Sequence, residues 1–271
     1  MKSENTSWGG VASWYDEYLN DGDTYQAKVI WPNLKRILAI GSDGKSDPKK
    51  MHLLDLACGQ GYFSFLSAQE GADVIGLDIA PELIKVAKAR AEKSAQGGPR
   101  FDVAPSHKLG AVSDQSKDIV TCVLALQNIK ELDETIAECA RVLKKKGRFV
   151  FVLNHPSFRV PQYSDWHFDT KKMIQARTVW KYMQETTIAI DMNPGLGASK
   201  GKGDAAKNMT YSFHRPLQLF IKLLAKHGFY IRRLEEWCSH KKTEAGPRKE
   251  AEDRARKEIP MFMCIEAQLL E

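Results

Sequence analysis

From residue 50 onward, apolar and polar positions alternate between two rhythms. "MHLLDLA" is a short apolar run of strand length, and "GYFSFLSAQEG" follows as a helix with Gly71 as its stop. "ADVIGLD" predicts a second strand, and "PELIKVAKARAEK" a second helix with Pro81 in its first turn. "PRFDVA", "KDIVTCVLAL" and "RFVFVLN" predict three more strands, the second of them apolar on both faces. Between the last two, "ELDETIAECARVLKKKG" sets Leu132, Ile136, Cys139, Ala140 and Leu143 on one helical face and ends in three lysines and Gly147, a helix-end pattern. Strands apolar on both faces, alternating with helices, predict a doubly wound parallel α/β core over residues 50–154.

The flanks read differently. Residues 1–40 carry helical spacing in "VASWYDEYL" and "TYQAKVIWPNLKRILAIG", with Gly41 as a stop and a polar linker behind it. Residues 155–213 are aromatic-rich and irregular, which predicts an insertion with some strand and a loop around "PGLGASKGKGDAAKN". A helix over "PLQLFIKLLAKHG" and two strands, "FYIRRLEEWC" and "PMFMCIEAQLL", predict a sheet completed by an antiparallel hairpin. The units are therefore a helical lid (1–45), an α/β core (46–154), a substrate cap (155–213) and a completion of the sheet (214–271).

Composition narrows the picture only a little. At 43% hydrophobic and 27% charged residues the chain reads as globular, and no apolar run approaches the ~20 residues of a membrane span. The polar start "MKSENTSWGG" has no apolar core of a signal peptide, so the expected location is the cytoplasm. The five cysteines show no C-x-x-C pair and no metal-ligand spacing, which predicts reduced thiols and no metal. The net charge of +6 does not call for nucleic acid. Segment 241–258 has seven basic and five acidic residues, and its i, i+4 pairs predict a solvated helix.

The chemistry concentrates in "DLACGQG", residues 55–61. Gly59 and Gly61 stand at a strand–helix junction, where a bare backbone can approach a ligand. Asp78 ends the next strand, nineteen residues after Gly59, and can accept both hydroxyls of a ribose. The dinucleotide fingerprint wants a third glycine, and Ser64 stands there instead. Asp55 would repel a pyrophosphate and attract an ammonium or sulfonium.

"LLDLACGQGYFS" with "VIGLDIAPELIKVAKARA" resembles motifs I and II of class I S-adenosylmethionine-dependent methyltransferases, and "WGGVASWYDEYL" resembles their small-molecule branch. The resemblance implies a Rossmann-like methyltransferase fold: α/β, with a doubly wound, mostly parallel seven-stranded sheet, an antiparallel C-terminal hairpin and an inserted cap. It implies that Asp55, Gly59 and Gly61 hold the methionine part of the cofactor, that Asp78 takes the ribose, and that Ile79 packs on the adenine. Asp102 would meet the adenine amino group with Val103 beside it. Leu124 and Gln127 would line the methyl group, and Tyr15 and Tyr25 would form a lid, although aromatic residues on helices also serve in packing.

Candidates for work on the acceptor are His155, His167, His214 and Arg215, each as a base, an anion clamp or a wall, and each also open to a purely structural role. Arg159 joins Arg215 as a hint of an aromatic or anionic acceptor. "ALQNI" after the fourth strand lacks the "[DN]-P-P-[YF]" pattern of amino-group nucleic-acid methylases. A small-molecule acceptor therefore remains, with S-adenosylhomocysteine as the product. Two other readings stay open: a cofactor-binding regulator without turnover, and an NAD(P)-dependent oxidoreductase, which Asp55 and Ser64 argue against.

Overall fold

The computed structural model describes residues 22–40, 50–94, 98–191 and 209–270. Its centre is a seven-stranded sheet in the order β10-β11-β5-β4-β1-β2-β3. The strands are β1 (His52–Leu56), β2 (Asp73–Asp78), β3 (Arg100–Val103), β4 (Lys117–Val123), β5 (Leu143–Asn154), β10 (Phe229–Trp237) and β11 (Phe262–Leu269). β3, β2, β1, β4 and β5 run parallel. β11 lies antiparallel between β5 and β10, the expected terminal hairpin.

The burial of β5 shows why these residues choose this sheet. Phe149 to Leu153 are all buried, so successive side chains go to opposite faces and both find a core. On one face Phe149, Phe151 and Leu153 join Leu54, Leu56 and Cys122 beneath helices α4 (Leu132–Val142) and α5 (Leu217–Lys226). On the other, Val150 and Val152 join Leu53, Val74 and Ile119. That second face is covered by α1 (Trp31–Leu38) and the widened helical turn before it, through Ile30, Leu34, Ile37 and Leu38. The described part of the expected N-terminal lid is thus, from Val29 to Leu38, a layer of the sheet core.

Three local expectations change. α1 ends on Ala39 in the left-handed region (φ 49°), ahead of Gly41. α4 ends at Val142, and Leu143–Gly147 already lie within β5, so the three lysines follow the helix end rather than cap it. The insertion contains two separate hairpins, β6 (Ser164–Asp169) with β7 (Ile174–Val179) and β8 (Thr186–Asp191) with β9 (Met209–His214).

The charged segment does form a helix, α6 (Lys249–Glu258). Its Ala251 and Ala255 are buried, Arg248 just before it stacks on Phe168, and Lys249 pairs with Asp253 at 2.7 Å. Part of the segment's charge is therefore engaged within the protein.

Candidate active site

The chain builds β1, β2 and β3 outward, then returns to lay β4 on the other side of β1. Ligands of such sheets bind at the carboxyl ends of the strands beside this reversal. The topology brings Asp55, Gly59, Gly61, Asp78, Ile79, Asp102, Val103, Leu124 and Gln127 to that edge, in or just after β1, β2, β3 and β4.

The loop after β1 turns sharply into α2 (Tyr62–Gln69). Ala57 (φ 54°), Gly59 (φ 56°) and Gly61 (φ 83°) all adopt left-handed conformations. The two glycines do so for different reasons. A Cβ on Gly59 would meet only Leu83 of α3 (Pro81–Glu92), at 4.0 Å, so its free side is open. A Cβ on Gly61 would lie 2.5 Å from Cζ of Phe101, the buried residue of edge strand β3. Gly76 in β2 makes room for the same ring, with a hypothetical Cβ at 2.6 Å. Gly76 is a site-forming residue that sequence reading missed, and its place within "VIGLD" was the available signal.

Asp78 fixes this loop to β2. Its carboxylate accepts the Gly59 N–H at 2.8 Å and the Ala80 N–H at 2.9 Å. Asp55 is buried, with one oxygen accepting Ser64 Oγ–H at 2.5 Å and the other accepting Thr121 Oγ1–H at 3.0 Å. Ser64, at the position where a dinucleotide loop carries glycine, is the hydroxyl that orients this acid. Burial raises the pKa of both carboxyls. Asp55 reaches about 6, with the two hydroxyl donors pulling it down and the Asp78 charge pushing it up. Two buried acids that disfavour each other's charge form a place where a cation is welcome.

Ile79 is half-buried beside this loop. At the outer end, Asp102 and Val103 are exposed, and Asp102 accepts its neighbour's N–H at 2.9 Å and meets Lys88 at 3.5 Å. On the inner side Leu124 leaves β4 in the left-handed region (φ 55°), which a leucine adopts only at a cost. Gln127 Nε2 donates to the Leu124 carbonyl at 2.7 Å, and its Oε1 is buried with no partner among the described residues.

Leu124 also lines an open cavity of about 370 Å³ at the same sheet edge. Tyr25 and Gln26 wall it from the N-terminal side, Asn154 and Arg159 from the end of β5, and Met261 and Phe262 from the start of β11. Tyr25 is held by Ser239 (3.1 Å) and by edge contacts to Phe262 and His240. Tyr15 lies outside the described residues.

None of the four candidates for acceptor chemistry lines this cavity. His155 Nδ1 accepts the Ser157 N–H, so its ring proton sits on Nε2 and is donated to Glu236 at 2.6 Å. Burial lowers its pKa. His214, also buried, meets the Tyr182 carbonyl through Nε2 at 2.7 Å. Arg215 is buried and donates to the carbonyls of Leu126, Ile129 and Lys130, which ties the end of β9 to the loop after β4. His167 is exposed on β6, on the opposite side of the strand from Trp166 and Phe168. Gln26, Asn154 and Met261 were missed because nothing in their local sequence marks them; only β-pairing and the N-terminal turn bring them together.

Comparison with known proteins agrees with this geometry. The chain is 31% identical over 144 residues to demethylmenaquinone methyltransferase of Leptospira interrogans, covering 52% of this chain and 55% of that one. It is 36% identical over 111 residues to ubiquinone biosynthesis O-methyltransferase of Xanthomonas axonopodis pv. citri, covering 40% and 45%. The chain thus spans about half the length of the curated relatives it matches. A S-adenosylmethionine-dependent methyltransferase of Mesorhizobium loti shares the fold, with a TM-score of 0.67 at 24% identity over 90% of this chain and all of that one. The family model of the methyltransferase domain matches residues 47–194, from the approach to β1 through β8, and on that match over more than half its length this chain belongs to the methyltransferase-domain family.

Proposed function

We propose that this protein transfers a methyl group from S-adenosylmethionine to a small-molecule acceptor and releases S-adenosylhomocysteine. The observation that carries the reading is the pair of buried carboxyls, Asp55 and Asp78, at the ends of neighbouring strands. A pyrophosphate would add negative charge to them, whereas a ligand with an ammonium and a sulfonium relieves them. This favours the methyl donor over a nicotinamide dinucleotide.

When bound, S-adenosylmethionine supplies a methyl carbon already activated by the sulfonium. The chain's part is to bind, align and exclude water. Asp78, pinned by two backbone N–H groups, takes the ribose hydroxyls. Ile79 packs on the adenine, with Asp102 and Val103 at its edge. Asp55 acts on the methionine end through its charge, and Gly59 leaves the space open there. Leu124 lines the cavity just after β4, and Gln127 Oε1, without a partner among the described residues, supplies a further acceptor atom beside it. Tyr25 closes the cavity from the N-terminal side.

The cavity volume suits a small acceptor. From the relatives the reaction carries over, and the acceptor does not. No described helix is long and apolar enough to cross a membrane, and all five cysteines are free, which supports work in the cytoplasm.

Titration calorimetry with S-adenosylmethionine and with NADH tests the cofactor. Micromolar binding of the first is expected, and NADH binding without it overturns the reading. Methyl-labelled donor incubated with a metabolite extract tests turnover. Tight donor binding with no labelled product reassigns the protein as a binding regulator.

A further inference from the structure

Arg159 enters the cavity wall with an unusual set of neighbours. Its Nε is buried and has no hydrogen-bond partner among the described residues. Its guanidinium lies 5.4 Å from the ring of Trp166, and Arg177 stands on the same ring at 5.1 Å. Arg177 is engaged, donating to the Phe158 carbonyl at 2.9 Å and to Ser164 Oγ at 2.7 Å. Arg256, engaged with Thr243 Oγ1, adds a third positive charge to the surroundings. Among the described residues no carboxylate pairs with Arg159.

A half-buried cation among other cations is costly unless something negative arrives. The rest of the wall is apolar or neutral: Tyr25, Leu124, Met261 and Phe262, with Asn154. Gln26 adds a buried carbonyl oxygen, Oε1, that has no donor among the described residues. Among the described residues the cavity therefore offers a cationic fork without an anion, an acceptor atom without a donor and an aromatic-aliphatic lining. We infer that the methyl acceptor is a small, largely apolar molecule bearing one oxyanion group, a carboxylate or a phosphate, which Arg159 binds and which makes Arg159 the specificity-determining residue. This rests on the methyltransferase reading above. A planar guanidinium on an aromatic platform suits two-pronged recognition of such a group.

The test uses the full chain saturated with S-adenosylhomocysteine and three probes: benzoate, phenyl phosphate and the neutral benzamide. At least one anion is expected to bind about tenfold or more tightly than benzamide, the scale of one charge-assisted hydrogen bond. Whichever anion is favoured identifies the group. Arg159→Gln should abolish the preference and leave S-adenosylhomocysteine affinity within about twofold, well under the tenfold that 1.4 kcal/mol represents. Arg159→Lys, which keeps the charge, should retain part of the preference and serves if the glutamine variant fails to fold. Equal binding of all three probes, no binding of either anion, or an unchanged preference in both variants overturns the inference. So does a loss of S-adenosylhomocysteine affinity in Arg159→Gln, which would assign Arg159 to the cofactor. Failure of the wild-type protein to bind S-adenosylhomocysteine at all would instead overturn the methyltransferase reading.

Discussion

Ser64 Oγ donates a 2.5 Å hydrogen bond to Oδ2 of Asp55, joining the first turn of α2 to the strand before the glycine loop. Both groups are buried, so water cannot replace either partner. Ser64→Ala should cost about 1–3 kcal/mol of stability, the range for stranding a buried acceptor. It should also raise the Asp55 pKa further, since this bond is the largest influence lowering it. Urea unfolding measures the first effect. A midpoint equal to wild type would show that the bond contributes nothing net.

Asp55 makes stability depend on pH. Its folded pKa of about 6 lies above its ordinary 3.8, so between these values the folded protein binds more protons than the unfolded chain. Stability from this group is therefore complete below pH 3.8 and lost as pH rises to about 6. Glu235 works in the opposite sense. Arg36 lowers its pKa to about 2, so its contribution is present above the ordinary 4.5 and is lost as pH falls towards 2. Subtracting the pH profile of Asp55→Asn from that of wild type isolates the Asp55 slope in the cofactor-free protein. An identical slope in both would refute it. Donor affinity should rise as pH passes 6, because the ionised acid is the form that attracts a cation.

The two loop glycines should separate stability from binding. Gly61→Ala forces a methyl against the Phe101 ring at a left-handed backbone position, and should destabilise by about 1–3 kcal/mol. Gly59→Ala meets no close atom, so it carries only the backbone penalty of roughly 1 kcal/mol. Its methyl enters the proposed cofactor space and should weaken donor binding about tenfold or more, a loss of ~1.4 kcal/mol or greater. Thermal unfolding and calorimetry on both variants check this. Equal losses in both assays would remove the distinction.

Asp78→Ala should weaken S-adenosylmethionine binding by at least about tenfold, given roughly 1.5–3 kcal/mol for a charged hydrogen-bond partner. The same substitution frees the Gly59 and Ala80 N–H groups, so the loop should also exchange amide hydrogen faster. An unchanged dissociation constant would exclude Asp78 from the site.

Arg215→Met should act on folding rather than on donor binding. It strands the carbonyls of Leu126, Ile129 and Lys130, and a loss of about 1–3 kcal/mol is expected for each one that water cannot reach. Donor affinity should change little. A variant as stable as wild type with impaired turnover would return Arg215 to the list of acceptor-binding groups.

The sheet was legible because its signal is local. Val150 and Val152 alternate with Phe149 and Phe151 in one run, and two buried faces are the simplest outcome. The glycine loop was legible for the same reason, since a turn of this kind needs particular residues at fixed spacing. The end of α4 was misread because three lysines and a glycine fit either a helix terminus or a strand entry, and β-pairing of Leu143 with Lys117 settles the choice.

The amino-acid sequence alone determined the α/β alternation, the loop at residues 55–61 and the acid at Asp78, all features carried by short-range spacing. The tertiary structure decided which of the remaining polar groups are free. His155, His214 and Arg215 found partners in Glu236, the Tyr182 carbonyl and the loop after β4, while Arg159 found Trp166 and, among the described residues, no anion. Those partners lie from 32 to 89 residues away for the first three. A side chain's availability depends on what folding places against it, and no local pattern records that.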